Sequence, residues 1–517
     1  MGDPDVLIIG SGAGGLAAAV ALARAGQRVL VVEQHARPGG WCQSFPVAGH
    51  RFNPGVSAVG GLAPGGVLRR LYEGLGVWPD LDFVPLDPAG HDRCVRGGQR
   101  FDLPRSAEAR TAYLERRFPL QREGLRSYRE LLQRVDEQLG SGRMELLLGG
   151  HRPDLDLDMA ARVGLRPLLE LQREHIDDPV LRAVLSSSCL AHGLSPSEVP
   201  AVVHAASVRS VEAGAWYPRG GSGSIPAAMI RSLEAHGGTV MLGRAVESAI
   251  LSAARVPRVL GVRLVDGTEI RARRVLSNAD PGVTLGRLVG SQRLPPAASR
   301  RLRAAPWSTS GLSLSLVVRP DSSGSGLGTD TLEWQRAASA EGYFEDAHDP
   351  RLVSEGRIPG LYATSVSAKD PADGGEGTLA LELLCAASWS LFEAWADSCP
   401  GSRPAAYLEA KRRIIAGMLA VLDSQGFPGV AQRVVRASLA TPLSFAWHGR
   451  ATRGCCYGVA KTRRWIWPKS FALRTDLPGL WMCGASTVGH GVPAATLSGV
   501  LAAADILGCP GAELLDG

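Results

Sequence analysis

The residues best suited to chemistry lie near the start of the chain. Gly10, Gly12 and Gly15 follow a Gly-x-Gly-x-x-Gly spacing with Ala13 and Gly14 inside it, and Glu33 stands 18 residues beyond Gly15. The spacing alone is a weak signal, but its setting is specific. Val6-Leu7-Ile8-Ile9 reads as a buried strand, Leu16–Ala25 as a small-residue helix stopped by Gly26, and a second apolar run leads to Glu33. Gly10 permits the tight turn, Gly12 lets the backbone approach a pyrophosphate, and Gly15 lets the helix pack against the sheet. The helix N-terminus presents free N–H groups and positive dipole to the phosphates. An acid at the end of the second strand accepts ribose hydroxyls. The pattern predicts a bound dinucleotide; its plain alternative is an ordinary βαβ unit with a glycine-rich turn.

Such a site needs a scaffold, and 517 residues leave room for more than one domain. A net charge of +6 is mild for this length and does not point to nucleic acid. The nine cysteines include an adjacent pair, Cys455-Cys456, but no Cys-x-x-Cys. No metal ligand set or disulfide framework is expected, and the usage fits a reducing compartment. There is no signal-peptide pattern and no apolar run of the roughly 18 residues a spanning helix needs. A cytoplasmic protein is expected, with peripheral contact on one membrane face left open. The segment Ala107–Leu139 bears on this: it is helical in pattern, broken at Phe118-Pro119, with arginines opposite Leu, Phe and Tyr. It is either a solvated helix packed on a core or an interfacial helix resting on lipid.

Further along, Trp216 to Gly223 reads as a loop, Ile225–His236 as a helix and Thr239–Leu242 as a strand. Ala245–Leu251 reads as another strand, and Val259–Leu264 with Thr268–Arg273 as a hairpin around Asp266-Gly267. Leu312–Val318 and Thr378–Leu384 alternate like sheet strands, and Ala405–Leu422 is an amphipathic helix. Gly324-x-Gly326-x-Gly328 lacks the strand and helix that would make it a second dinucleotide loop. The last segment reads as a strand, Leu480–Cys483, a glycine turn and a long small-residue helix. The expected architecture is α/β: a discontinuous dinucleotide-binding domain of residues 1–80, 210–290 and 440–517, interleaved with an α+β substrate domain of 81–209 and 291–439.

These segments resemble a family. Asp5–Gly15, Glu33 and Gly39-Gly40 look like the dinucleotide-binding start of FAD oxidoreductases of the phytoene desaturase type. Within that superfamily, Val32-Glu33-Gln34-His35 through Gly39-Gly40, and Tyr217-Pro218-Arg219-Gly220-Gly221-Ser222, are most similar to retinol saturases. Carotenoid isomerases and phytoene desaturases follow. Ser277-Asn278-Ala279-Asp280 resembles the middle FAD block, and Leu480 to Ala485 with Gly489 to Pro493 the C-terminal one. The resemblance runs end to end but is diffuse through 85–200 and 320–440.

It implies a Rossmann-type FAD-binding domain of the amine oxidase or phytoene desaturase kind. The glycine loop would take the pyrophosphate, Glu33 and Gln34 the adenosine end, and Val246 a place beside the adenine. Gly39, Gly40 and Gly55 would approach the ribityl chain and isoalloxazine, with Asn278 in the middle block. Gly484-Ala485 and the helix start at Gly491-Val492-Pro493 would bring positive dipole to the N1–C2=O edge of the flavin. The chain departs from the pattern at Asn53, where the family often has Asp, at Pro54, and at Ala485-Ser486, where retinol saturases tend to carry Gln-Asp.

The implied substrate is a hydrophobic polyene or isoprenoid, and the protein's task is to place one carbon–carbon bond over the flavin and exclude water. Saturase-type reduction is favoured; a redox-neutral isomerase or a phytoene-type desaturase is the alternative, and a flavin amine oxidase or a non-catalytic lipid carrier stands further off. Reduction needs a proton donor. Tyr217, Tyr457 and His490 are the candidates, each beside an expected flavin-facing turn, although for each the plainer reading is a loop aromatic or turn histidine that merely packs. Trp465 and Trp467 could wall an apolar tunnel. With one dinucleotide site, electrons would come through transient NAD(P)H binding, a protein or a membrane quinone.

Overall fold

The computed structural model describes residues 2–140, 146–149, 155–255, 257–321, 327–370, 375, 377–466 and 469–516. Trp467 and the Gly324–Gly326 stretch lie outside them. A parallel five-stranded sheet forms the first layer: β1 (Val6–Ile9), β2 (Val29–Val32), β3 (Thr239–Met241), β4 (Arg274–Ser277) and β5 (Leu480–Met482), in the spatial order β5-β4-β1-β2-β3. Its inner strands β1, β2 and β4 are short, mostly apolar runs almost wholly buried, as parallel strands between helices must be, while the edge strand β3 starts at the exposed Thr239. Two helices cover one face, α1 (Ala13–Arg24) and α2 (Gly491–Leu507). α1 begins at Ala13, three residues earlier than its apolar pattern suggests, so Gly14 and Gly15 lie in its first turn, with Gly12 as the extended cap before it. Alanine, leucine and glycine on both helices let them pack almost backbone to backbone. A Cβ on Gly499 would lie 2.0 Å from the Gly14 carbonyl oxygen.

The second layer is a seven-stranded sheet with strand order 434–440, 310–318, 379–387, 360–365, 331–335, 91–96, 99–104. One face buries Leu312, Leu314, Leu316, Leu361, Leu381 and Leu383 against the long helix Ala405–Ser424. Alternation along each strand sends Ser313, Ser315, Tyr362, Thr364, Glu382 and Glu333 to the opposite face. That polar face looks toward the segment that follows the parallel sheet's second strand: Glu382 reaches Asn53, and Tyr362 reaches Ser57. The loop expected at 216–223 begins instead as a strand, Trp216–Pro218, because Phe83–Pro85 pairs with it antiparallel.

The Arg-rich segment forms two helices, Ala107–Arg117 and Arg122–Val135, broken at Phe118-Pro119. Leu114, Leu125, Tyr128 and Leu132 fix them on a core of their own. At the turn between them Leu120 is 95% exposed. Among the described residues no helix is long and apolar enough to cross a membrane.

Candidate cofactor and active site

The N-termini of α1 and α2 meet at the carboxyl ends of β1, β4 and β5, where ligands bind in open parallel sheets. One side chain joins the pieces. The Asn278 carboxamide lies where Cβ atoms on Gly12, Gly14 and Gly484 would sit, at 2.5, 2.8 and 2.9 Å, so these glycines make room for it and for each other. Cys483 Sγ donates to Asn278 Oδ1, and the Gly484 N–H donates to Ser498 Oγ on α2. Asn278 thus fills the inner side of the glycine loop, leaving the outer side as backbone.

Glu33 is 6% exposed and closes the loop's other flank. Its carboxylate accepts from the Ser11 N–H (2.9 Å) and hydroxyl (2.7 Å) and from the His35 N–H (2.9 Å). Beside it Gln34 donates to the His448 carbonyl and accepts from Arg450. The stretch leading to Val246 runs alongside, with Gly243 and Arg244 donating to the His35 and Glu33 carbonyls. Gly39 and Gly40 adopt positive φ, and a Cβ on Gly40 would stand 3.4 Å from Gly12 Cα. Next along, a Cβ on Gly55 would meet the Trp41 ring at 3.0 Å. Backbone therefore approaches backbone closely between Gly12 and Gly40, and Gly55 lies against the Trp41 ring. These segments border the carboxyl end of the parallel sheet, the groove where an open sheet binds its dinucleotide.

Asn53 anchors the far end of that groove. Its Oδ1 accepts from Ser44 Oγ and from the N–H and hydroxyl of Ser222; its Nδ2 donates to the Tyr217 hydroxyl at 2.8 Å. An aspartate here would lack the Nδ2 donor, and its contact with Tyr217 would have to reverse, with the phenol donating. Tyr217, 1% exposed, is thereby engaged in holding Asn53. The Asn53 N–H donates to Glu382 at 2.6 Å, and Lys369 Nζ donates to the Ser57 carbonyl at 2.7 Å. Burial pushes the Glu382 carboxyl up and the Lys369 ammonium down, each shift partly offset by the other's charge.

Tyr457 and His490 do come together, ring centroids 5.3 Å apart. The His490 ring is paired with His192, Nε2 to Nδ1 at 3.2 Å. Burial, and the positive charge of Lys461, push His490 down to about 4, so it is a neutral imidazole at pH 7. Burial raises the Tyr457 phenol. Both side chains, with Cys456 and Tyr362, keep part of their surface accessible while burial governs their titration. These half-buried side chains are the lining of a candidate cleft. Its wall also carries the turn at Ala485-Ser486, because Ser486 Oγ accepts from the Val459 N–H. Lys461, 2% exposed, has no hydrogen-bond partner for Nζ among the described residues, and burial pushes it down to about 7. A buried ammonium beside these turns, without a protein partner, fits a site built for a bound polar or anionic group. Trp465 stacks at a tilt on Phe471 under Arg301, in the core beside the parallel sheet.

The structure thus gathers Gly10, Gly12, Ala13, Gly14, Gly15, Glu33, Gly39, Gly40, Asn278, Gly484, Ala485, Gly491, Val492 and Pro493 around one groove. Gln34 and Val246 lie at one end and Gly55 at the other. Tyr457 and His490 share the cleft, and Tyr217 stands behind Asn53. Glu382, Lys369, Lys461 and His192 were invisible as site residues in the sequence. Each is an isolated charged or aromatic position, and only a charge inside an alternating strand, as at Glu382, gave any signal.

A profile of the family "Flavin containing amine oxidoreductase" matches residues 13–336. The human all-trans-retinol 13,14-reductase is 27% identical over 97% of this chain and 85% of its own length. The phytoene desaturase (neurosporene-forming) of Cereibacter sphaeroides is 26% identical, covering 97% of this chain and 93% of the relative. Among solved structures, an oxidoreductase from Methanosarcina mazei superposes with a TM-score of 0.64 at 16% identity, over 97% of this chain and 99% of that one; at this identity it speaks for the fold alone.

Proposed function

The chain belongs to the flavin-containing amine oxidoreductase family, and from that footing we propose that it is an FAD-dependent oxidoreductase acting on a carbon–carbon double bond of a hydrophobic polyene or isoprenoid lipid, in the reducing direction. The observation that carries the reading is that near-full-length likeness falls on enzymes named for carbon–carbon bond reduction and desaturation. When bound and reduced, the flavin supplies the hydride.

The chain's own residues do the rest. The glycine loop and the two helix N-termini meet the pyrophosphate, Glu33 and Gln34 the adenosine end, and the Val246 segment the adenine edge. Gly39, Gly40 and Gly55 approach the ribityl chain and isoalloxazine. The start of α2 at Gly491-Val492-Pro493 offers N–H groups to the flavin's pyrimidine side. Residues 1–80, 210–290 and 440–517 form the FAD-binding domain, and 81–209 with 291–439 the substrate domain. This division is supported by the membership of the two sheets: the parallel strands all fall in the first set and the seven-stranded sheet in the second, apart from its last residue.

Tyr457 and His490 face the cleft and are the candidates to hold the substrate and deliver a proton. His490 is neutral at pH 7, so Tyr457 is the better donor of the two. NAD(P)H or a quinone serves as transient electron source. The exposed Leu120, between the arginines at 116, 117 and 122, supports a peripheral contact with anionic lipid.

Anaerobic incubation with a panel of polyenes, with the flavin reduced and then oxidised, tests the reading by product mass. A product two mass units heavier, formed only with reduced flavin, is expected. A product two units lighter with oxidised flavin would establish the desaturase, which the Cereibacter relative favours as second reading. An unchanged mass with altered geometry would establish an isomerase. No conversion of any polyene, with hydrogen peroxide released from an amine in a parallel incubation under air, would overturn the proposal.

A further inference from the structure

We propose that Lys369 and Glu382, two buried ionisable side chains, together hold the Asn53–Ser57 segment and set the redox potential of the flavin that segment faces; the proposal rests on the flavin placement given above. The two side chains grip the segment at its ends. Glu382 accepts the Asn53 N–H at 2.6 Å, and Lys369 donates to the Ser57 carbonyl at 2.7 Å. Gly55 lies between, where a Cβ would meet the Trp41 ring at 3.0 Å. Both groups are almost wholly buried, with 2% of Lys369 and 5% of Glu382 exposed.

Holding a backbone N–H and a backbone carbonyl does not require charge. A neutral amide would make both bonds without the cost of several kcal/mol that comes with taking an ion out of water. The scaffold also supplies each charge deliberately. Glu382 interrupts the apolar alternation of a central strand, between Ser315 and Thr364. Lys369 ends a short helical turn that Ser365 caps through the Ala368 N–H. Fixed charges in a low-dielectric interior act strongly on a neighbour whose own charge changes, and a flavin gains negative charge on reduction. In their ionised forms, which coexist near pH 7.5, the ammonium favours the reduced state and the carboxylate opposes it. The pair is therefore a device for poising the electron affinity of the site, separate from the residues that touch the substrate.

The test uses the flavin-loaded protein and reads the flavin midpoint potential by anaerobic reductive titration, with visible absorbance to confirm equal flavin content. Lys369→Gln keeps a donor for Ser57 but removes the charge, and a more negative potential is expected. Glu382→Gln keeps an acceptor for Asn53, and a more positive potential is expected. The double variant should return toward the parent, and Lys369→Arg should stay close to it. Should Lys369→Gln fail to fold, Glu382→Gln and Lys369→Arg still decide the sign. Shifts in the same direction for both neutral variants, or none, overturn the proposal, since a purely mechanical anchor predicts no opposition of sign. A parent chain that binds no flavin overturns the underlying reading, and that result is distinct.

Discussion

Gly499→Ala puts two physical effects in direct opposition. Gly499 lies inside α2, where replacing glycine by alanine in an otherwise open helix stabilises by about 1 kcal/mol. The tertiary structure argues the reverse. The new Cβ would stand 2.0 Å from the Gly14 carbonyl oxygen, 2.9 Å from its carbonyl carbon and 3.0 Å from the Ala18 nitrogen, all backbone atoms of α1. Ordinary contact begins at 3.4 Å, so the helices must part by about 1.4 Å at this point. Overpacking of this kind costs roughly 1–3 kcal/mol, with little side-chain freedom here to relieve it. The net expectation is a loss of about 0–2 kcal/mol. Because both helix N-termini border the cofactor groove, flavin affinity should fall as well. A dipole contribution of 0.3–1 kcal/mol corresponds to roughly two- to fivefold weaker binding. Thermal melts followed by tryptophan emission and by release of flavin fluorescence measure both. A variant that melts higher than the parent, with unchanged flavin binding, would refute the backbone-to-backbone packing of α1 on α2.

Three other perturbations follow from the same geometry. Glu33→Ala strips the acceptor shared by Ser11 and His35 and should destabilise by about 2–3 kcal/mol, since hydrogen bonds to a charged group are worth roughly 1.5–3 each and are not additive; loss of flavin on gel filtration should accompany it. Leu120→Asp should reduce co-sedimentation with vesicles containing anionic lipid by at least tenfold, given about 1.5–3 kcal/mol for burying a leucine, and leave the melting temperature unchanged; equal sedimentation of variant and parent would deny the turn any part in lipid contact. His204 and His490 stay neutral down to about pH 4 when folded, because burial disfavours the imidazolium, against 6.5 in the unfolded chain. The unfolded chain thus binds more protons across that window, so stability is full above it and declines as pH falls through it. Melts at pH 7.5, 6 and 5 should show this decline, and His204→Gln should flatten it.

Much of the cofactor end was legible because its grammar is local. A buried strand, three glycines at fixed spacing, an alanine-rich helix and an acid at the next strand's end all fall within some thirty residues, and the physics of each acts over one or two turns of backbone. The hairpin around Asp266-Gly267 and the break at Phe118-Pro119 were readable for the same reason. Trp216–Pro218 was not, because its strand character comes from pairing with Phe83–Pro85, a partner far away in sequence. The cleft shows the same limit. Tyr457 and His490 could be picked as aromatic and imidazole side chains near glycine turns, yet their meeting, and the link to His192, depend on three separated segments folding together. Tyr217 carries the strongest local motif of the three and turns out to hold Asn53. By itself the sequence determined a dinucleotide fold, because short-range sterics and helix dipoles leave few other uses for that pattern. The tertiary structure alone decided which buried charges stand behind the groove, since Lys369, Glu382, Asn53 and Ser57 become neighbours only when the two sheets pack.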